Sequence, residues 1–151
     1  MSLQTAAYLQ TGEFQAGAAR EPALVTPESS RRARGIEVWA ALRSLGRGGL
    51  ADMIERTCVH AGRFAGGLKA AGYEILNDVL INQVLVSFGS AEINDRVIRG
   101  VQQDGTCWCG GTVWQGKTAM RISVSSWATT SQDVERSLEA ILRVARECEA
   151  G

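Results

Sequence analysis

Lys69 and Lys117 are the only lysines in the sequence, so any covalent chemistry on a carbonyl group has to choose between them. Lys69 falls on a helix surface and Lys117 in a turn, where both read as solvated charges. Cys107-Trp108-Cys109 is a Cys-x-Cys pair, but a zinc site wants four ligands, usually from two such knuckles, and no second pair exists. No metal site is therefore expected, and the two cysteines read as strand residues. The lone histidine, His60, lies mid-helix between Val59 and Ala61 and reads as partly buried or solvent-exposed rather than catalytic. Gly46-Arg47-Gly48-Gly49 superficially resembles a phosphate loop, yet helical pattern rather than a strand precedes it, so it reads as a helix break. The arginines Arg31, Arg32 and Arg34 could bind an anion or make salt bridges at a domain junction. No catalytic constellation emerges from the residues alone.

The elements that would position these groups follow from periodicity. Residues 1–28 carry both prolines, Pro22 and Pro27, and little pattern beyond a possible short strand at Ala6-Ala7-Tyr8-Leu9; they read as a connecting segment. Helical pattern starts near Glu28-Ser29-Ser30, with Ile36, Val38, Trp39, Leu42 and Leu45 on one stripe. Gly46, Gly48 and Gly49 interrupt it. A second stripe runs Leu50, Ile54, Cys58, Ala61, Phe64, Leu68 and ends at Gly72 as a C-cap. The spacing predicts two helices, or one with a sharp break.

Val79 to Phe88 is rich in β-branched and apolar residues and reads as a strand. Ser90 caps a short helix carrying Ile93, Val97, Ile98 and Val101, closed by Asp104-Gly105. Thr106 to Val124 reads as two or three strands with Gln115-Gly116-Lys117 as the tight turn. Met120, Ile122 and Val124 share one face there, and Arg121, Ser123 and Ser125 the other. Thr130-x-x-Asp133 resembles a capping box, with an aspartate in place of the usual Glu or Gln. The helix behind it offers Val134, Leu138, Ile141, Ala145 and Cys148 to a core. Segregated helices and period-two strands define an α+β class: an antiparallel or mixed sheet with helices packed on one face.

At 151 residues the chain has room for one substantial core. Lys+Arg and Asp+Glu both number 16, so the formal charge is zero. That balance removes the long-range field expected of a nucleic-acid or anionic-membrane binder, and neither partner is expected. Four cysteines are too few for a disulfide scaffold, and no apolar run reaches membrane-spanning length. A cytoplasmic protein is expected.

Two segments carry more. Ser30-Arg31-Arg32-Ala33-Arg34-Gly35-Ile36-Glu37-Val38-Trp39, continuing through Leu42-Arg43, Gly46 and Gly49-Leu50, resembles a signature of group II pyridoxal-phosphate-dependent amino-acid decarboxylases. Glu37 replaces the family's usual lysine, a change expected on a solvent face. Thr118-Ala119-Met120-Arg121-Ile122-Ser123-Val124, followed by Trp127-Ala128-Thr129-Thr130, resembles the family's Leu-Arg strand and the Thr-rich turn into its last helix. Tyr73-Glu74-Ile75-Leu76 and Asn82-Gln83-Val84-Leu85-Val86-Ser87-Phe88 match its small-domain strands in order and spacing.

The resemblance implies the aspartate-aminotransferase superfamily fold, fold type I, with residues 29–151 as the small carboxy-terminal domain. Residues 1–28 would connect it to a larger cofactor domain that the chain lacks. Pyridoxal phosphate would serve the parent enzyme, a lyase and a dimer in such a family, and none is expected on this chain alone. The family's cofactor lysine, its aspartate and its stacked histidine precede the Ala-Ala-Tyr-Leu stretch, so no catalytic or cofactor-binding residue carries over. Arg121 matches a small-domain arginine on the cleft side of the sheet, where it would contact a carboxylate or the domain junction, or make a structural salt bridge. Arg31 and Arg32 look like interdomain or dimer contacts. The expected role is structural and cleft-lining, without activity alone; the alternative is a freestanding α+β module that binds a ligand or a protein. Self-association through the apolar surface around Trp39 is expected too. The coding frame is expected to continue upstream of Met1 by about 300 residues, the usual size of such a cofactor domain, and to contain a His-x-x-Lys element.

Overall fold

The computed structural model describes residues 32–150. Ala6–Leu9, the connecting segment 1–28, the helix start at Glu28–Ser30 and Arg31 lie outside the described residues. Two compact units meet in sequence between Ala41 and Leu42, and the second holds the sheet. The elements run α1 (Gly35–Ala70), β1 (Glu74–Ile75), β2 (Gln83–Ser87), α2 (Ala91–Asp104), β3 (Gly110–Trp114), β4 (Lys117–Ser123) and α3 (Ser131–Ala150). The sheet is antiparallel throughout, in the order β1-β2-β4-β3. The class is α+β, as expected.

Local chemistry accounts for most of the boundaries. In α1, Gly46 leaves helical geometry at φ 62, ψ −172, the expected break. Gly72, at φ 95, closes the same helix: its N–H donates to Lys69 O (3.0 Å) and the Tyr73 N–H to Leu68 O (3.1 Å), a Schellman motif. Ser90 Oγ accepts from the Ile93 N–H at 3.3 Å to open α2, and Gly105 ends it in the left-handed region. The Thr130–Asp133 box forms in both directions. Asp133 N donates to Thr130 Oγ1 (3.2 Å), and Thr130 N donates to Asp133 Oδ2 (2.9 Å). Gln115 and Gly116, both at positive φ, make the two-residue turn that sets Trp114 opposite Lys117.

The core lies on one face of the sheet. Val84, Val86, Met120, Ile122 and Val124 are buried with Val97, Ile98 and Val101 of α2 and with Val134, Ile141, Val144 and Ala145 of α3. Helix α1 contributes Ala61, Phe64 and Leu68. Close helix approach depends on two glycines. A Cβ on Gly67 would lie 2.3 Å from Leu138 Cδ2, and one on Gly100 would lie 2.6 Å from Val144 Cγ1.

Three expectations are corrected. The strand is Gln83–Ser87 rather than Val79–Phe88, and Leu80 is 82% exposed. Asn77 explains the late start, because its side chain takes over the sheet pairing: Oδ1 accepts from Leu85 N (2.8 Å) and Nδ2 donates to Gln83 O (3.1 Å). Cys107 and Cys109 sit in the loop before β3, not in a strand. The core-facing stripe of α1 is rotated and short: Ile54 is exposed, while His60 is buried at 4% exposure. Upstream, Ile36, Val38, Trp39, Leu42 and Leu45 are exposed, the apolar surface expected around Trp39.

Candidate functional site: the open face of the sheet

Strand alternation sends every second side chain away from the helices. Arg121 on β4 is the centre of that outward face, paired in register with Leu85 of β2 and Gly110 of β3. It is exposed and has no hydrogen bond or ion pair among the described residues. A guanidinium so placed, beside a glycine that leaves room, is suited to a planar carboxylate or a phosphate held by two parallel hydrogen bonds. The other cation of this face, Lys117, is engaged: its Nζ donates to Glu74 Oε1 at 2.8 Å, bridging β4 to β1. Around that bridge a recess of about 660 Å³ is lined by Tyr73, Glu74, Ser87, Phe88, Gly89, Lys117 and Glu149. Burial pushes the Tyr73 phenol above its ordinary pKa, and the neighbouring Glu149 carboxylate pushes it the same way.

A second cleft, of about 790 Å³, lies between Asp52–His60 of α1 and the Trp127–Ser131 segment. His60 Nε2 meets Thr129 O at 3.2 Å, which assigns the proton to Nε2 and leaves Nδ1 buried without a partner. Arg56 Nη2 donates to Trp127 O at 3.2 Å. These contacts tie the segment ahead of α3 to α1, and Trp127 itself remains 75% exposed. Sequence reasoning missed the His60–Thr129 tie; the only signal was that His60 lies four residues before the buried Phe64.

Arg32 pairs with Glu37, and both side chains are exposed, so Glu37 does lie on a solvent face. Arg31 lies outside the described residues. Among the described residues no cluster of three or more metal-ligating side chains exists, and no helix is long and apolar enough to cross a membrane.

Pyridoxal phosphate needs an unprotonated amine at its aldehyde, and neither lysine fits. A Schiff-base lysine is usually desolvated or set beside another cation, which favours the neutral amine. Lys117 instead is exposed and ion-paired with Glu74, and Lys69 is exposed near the end of α1. His60, the one histidine, is buried and bonded to Thr129 O. Among the described residues, neither lysine is set as an aldimine-forming lysine would be.

The sequence matches no family model and no curated protein. Solved structures do match. Tryptophan decarboxylase of Catharanthus roseus, in complex with L-tryptophan, superposes with a TM-score of 0.68 at 21% identity over 76% of this chain and 26% of its own. Oryza sativa TDC with pyridoxal phosphate and tryptamine gives a TM-score of 0.71 at 21% identity, over 78% and 27%. The glutamate decarboxylase domain of a Vibrio parahaemolyticus diaminobutyrate-pyruvate transaminase and L-2,4-diaminobutyrate decarboxylase gives 0.62 at 22%, over 74% and 26%. The chain thus spans about a quarter of the length of the structures it matches. Its fold is the one found in part of these decarboxylases, the α+β small domain of fold type I.

Proposed function

We propose that this chain is the small-domain part of a group II pyridoxal-phosphate-dependent amino-acid decarboxylase, closing one wall of a cleft whose cofactor and catalytic lysine stand on a larger domain. The observation that carries the reading is the match of fold to tryptophan and diaminobutyrate decarboxylases, reached independently of the sequence motifs around Trp39 and Arg121. In the whole enzyme the cofactor would act as the sink for the electrons left when carbon dioxide departs. This chain would supply the unpaired Arg121 toward the cleft, for a carboxylate or for the domain junction. Its exposed apolar side chains, Trp39 at 63% exposure and others along α1, would be covered by the larger domain or by a second copy. The setting would be the cytoplasm.

The reading predicts catalytic silence. Mixing the chain with pyridoxal phosphate and then borohydride should leave neither Lys69 nor Lys117 specifically labelled on peptide mapping. Stoichiometric labelling of either would sink the idea. Reading the genomic strand upstream of Met1 tests the other half: an in-frame His-x-x-Lys element supports it, and a promoter directly before Met1 removes it.

One observation favours a second reading, a freestanding ligand-binding module. The recess around the Glu74–Lys117 bridge is polar and carries both charge signs. Saturable binding of a free amino acid to the isolated chain, lost in Lys117→Ala, would favour that module over the fragment.

A further inference from the structure

The Cys107-Trp108-Cys109 segment takes no part in the reading above. It lies between Gly105, in the left-handed region, and the first residue of β3. Cys109 is 3% exposed and its carbonyl is pinned by Gln102 Nε2 at 2.8 Å. Cys107 is only half-buried. Each cysteine acts electrostatically on the other, and Ser137 of α3 acts on Cys107. A half-buried sulfur thus stands two residues from a sheltered one, in a loop free of strand pairing. That is the arrangement of an attacking thiol with a resolving thiol behind it.

We propose that Cys107 and Cys109 form a redox-active dithiol that reacts with small disulfides of the glutathione class. Cys107 Sγ, as thiolate, attacks one sulfur of the disulfide; the S–S bond breaks and the first small thiolate leaves. Cys107 is now in a mixed disulfide. Cys109 Sγ then loses its proton and attacks Cys107 Sγ, breaking the mixed bond and expelling the second small thiolate. The protein dithiol is oxidised by two electrons, one small disulfide is reduced to two thiols, and both thiol protons end on those products.

The charges favour that order. Cys109 and Ser137 lower the Cys107 thiol to about 7, so much of it is thiolate at neutral pH. Cys107 and burial both push the Cys109 thiol up. Once Cys107 is in a mixed disulfide its charge is gone, and its restraint on Cys109 goes with it. Cys58 and Cys148, on α1 and α3, have no sulfur partner described and serve as internal controls.

The test uses the full chain with glutathione disulfide at pH 7. Of the four thiols, two should disappear, with two glutathione molecules released per chain and none retained. Dithiothreitol should restore all four. Cys109→Ser should stall with one glutathione on Cys107. Cys107→Ser should react at least roughly tenfold more slowly, since the thiolate is the nucleophile. The wild-type rate should level off above pH 7 and fall about tenfold per pH unit below it, as thiolate is lost. Both serines are near-isosteric, and unchanged circular dichroism will show that each variant folds. The proposal is overturned if Cys107→Ser reacts at the wild-type rate, if glutathione collects on Cys58 or Cys148, or if all four thiols persist.

Discussion

On the helix side of the sheet, Val84, Val86, Met120 and Ile122 are covered by α2 and α3, and the buried Asn94 amide there has its partners. On the other side Arg121 stands unpaired, and a single exposed ion pair, Lys117 with Glu74, spans the surface between strands. The same four strands build both faces, so the difference lies wholly in which side chains alternate outward. One face is finished by this chain's own atoms and accounts for the fold. The other spends a cation without returning stability, the pattern expected where function rather than packing selects the residue. Substitutions should therefore separate cleanly: large losses of stability from the helix side, and little from the Arg121 side.

The largest loss is expected at Ile141, which is fully buried on α3. Ile141→Ala removes buried methylenes and leaves a cavity, costing about 2–5 kcal/mol. Leu138→Ala, half-buried over Gly67, should fall at the low end, about 2 kcal/mol. Urea denaturation of both variants checks the order; a negligible change at Leu138 would mean that α3 packs elsewhere.

Asn94 comes next. It is wholly buried at the start of α2, where Oδ1 accepts from Phe88 N (3.0 Å) and Nδ2 donates to Ser90 O (2.8 Å) and Gly89 O (3.1 Å). It stitches the end of β2 to the first turn of α2. Asn94→Ala strands the Phe88 N–H, at a cost of about 1–3 kcal/mol. Faster amide exchange confined to Phe88 and its neighbours would locate the damage.

A smaller effect is expected at the α3 cap. Thr130→Ala removes the hydroxyl that satisfies Asp133 N and should cost about 1 kcal/mol. The Thr130 hydroxyl and N–H hold the Asp133 carboxyl below its ordinary pKa. A carboxyl depressed in the folded state stabilises above its unfolded pKa, near 3.9, and that stability is lost as pH falls through the folded value. The gap between wild type and Thr130→Ala should therefore narrow as pH drops below about 4, while the Ile141→Ala gap should not.

These sites also differ in how far the sequence announced them. The α3 cap, its apolar stripe, the Met120–Val124 alternation and the Gln115-Gly116 turn are local patterns, readable because residues within a few positions satisfy one another. Asn94, Asn77 and His60 were not readable. Each acts by bonding a backbone group that only the folded chain brings near, as His60 does across 69 residues to Thr129. Val79–Asn82 misled for the related reason that β-branched composition says nothing about a side chain, here Asn77, taking the place of a strand. Of the site, Arg121 and its outward direction followed from alternation, whereas its freedom from partners depended on Glu74 pairing with Lys117 instead.

Arg121 should give the smallest stability change and the sharpest test of the comparison. Arg121→Gln removes an exposed charge without disturbing β4, so the urea midpoint should move by less than about 0.5 kcal/mol equivalent. Arg121 lies opposite Leu85 in register, and glutamine keeps the first methylenes of the side chain. What should change is anion binding at the open face. In wild type, chloride or a small carboxylate titrated into the chain should shift the amide resonances of Leu85, Gly110 and Arg121, and in Arg121→Gln those shifts should vanish while the Lys117 region responds as before. A destabilisation comparable to that of Ile141→Ala would show instead that the guanidinium belongs to the fold. The contrast between the two faces would then have to be abandoned.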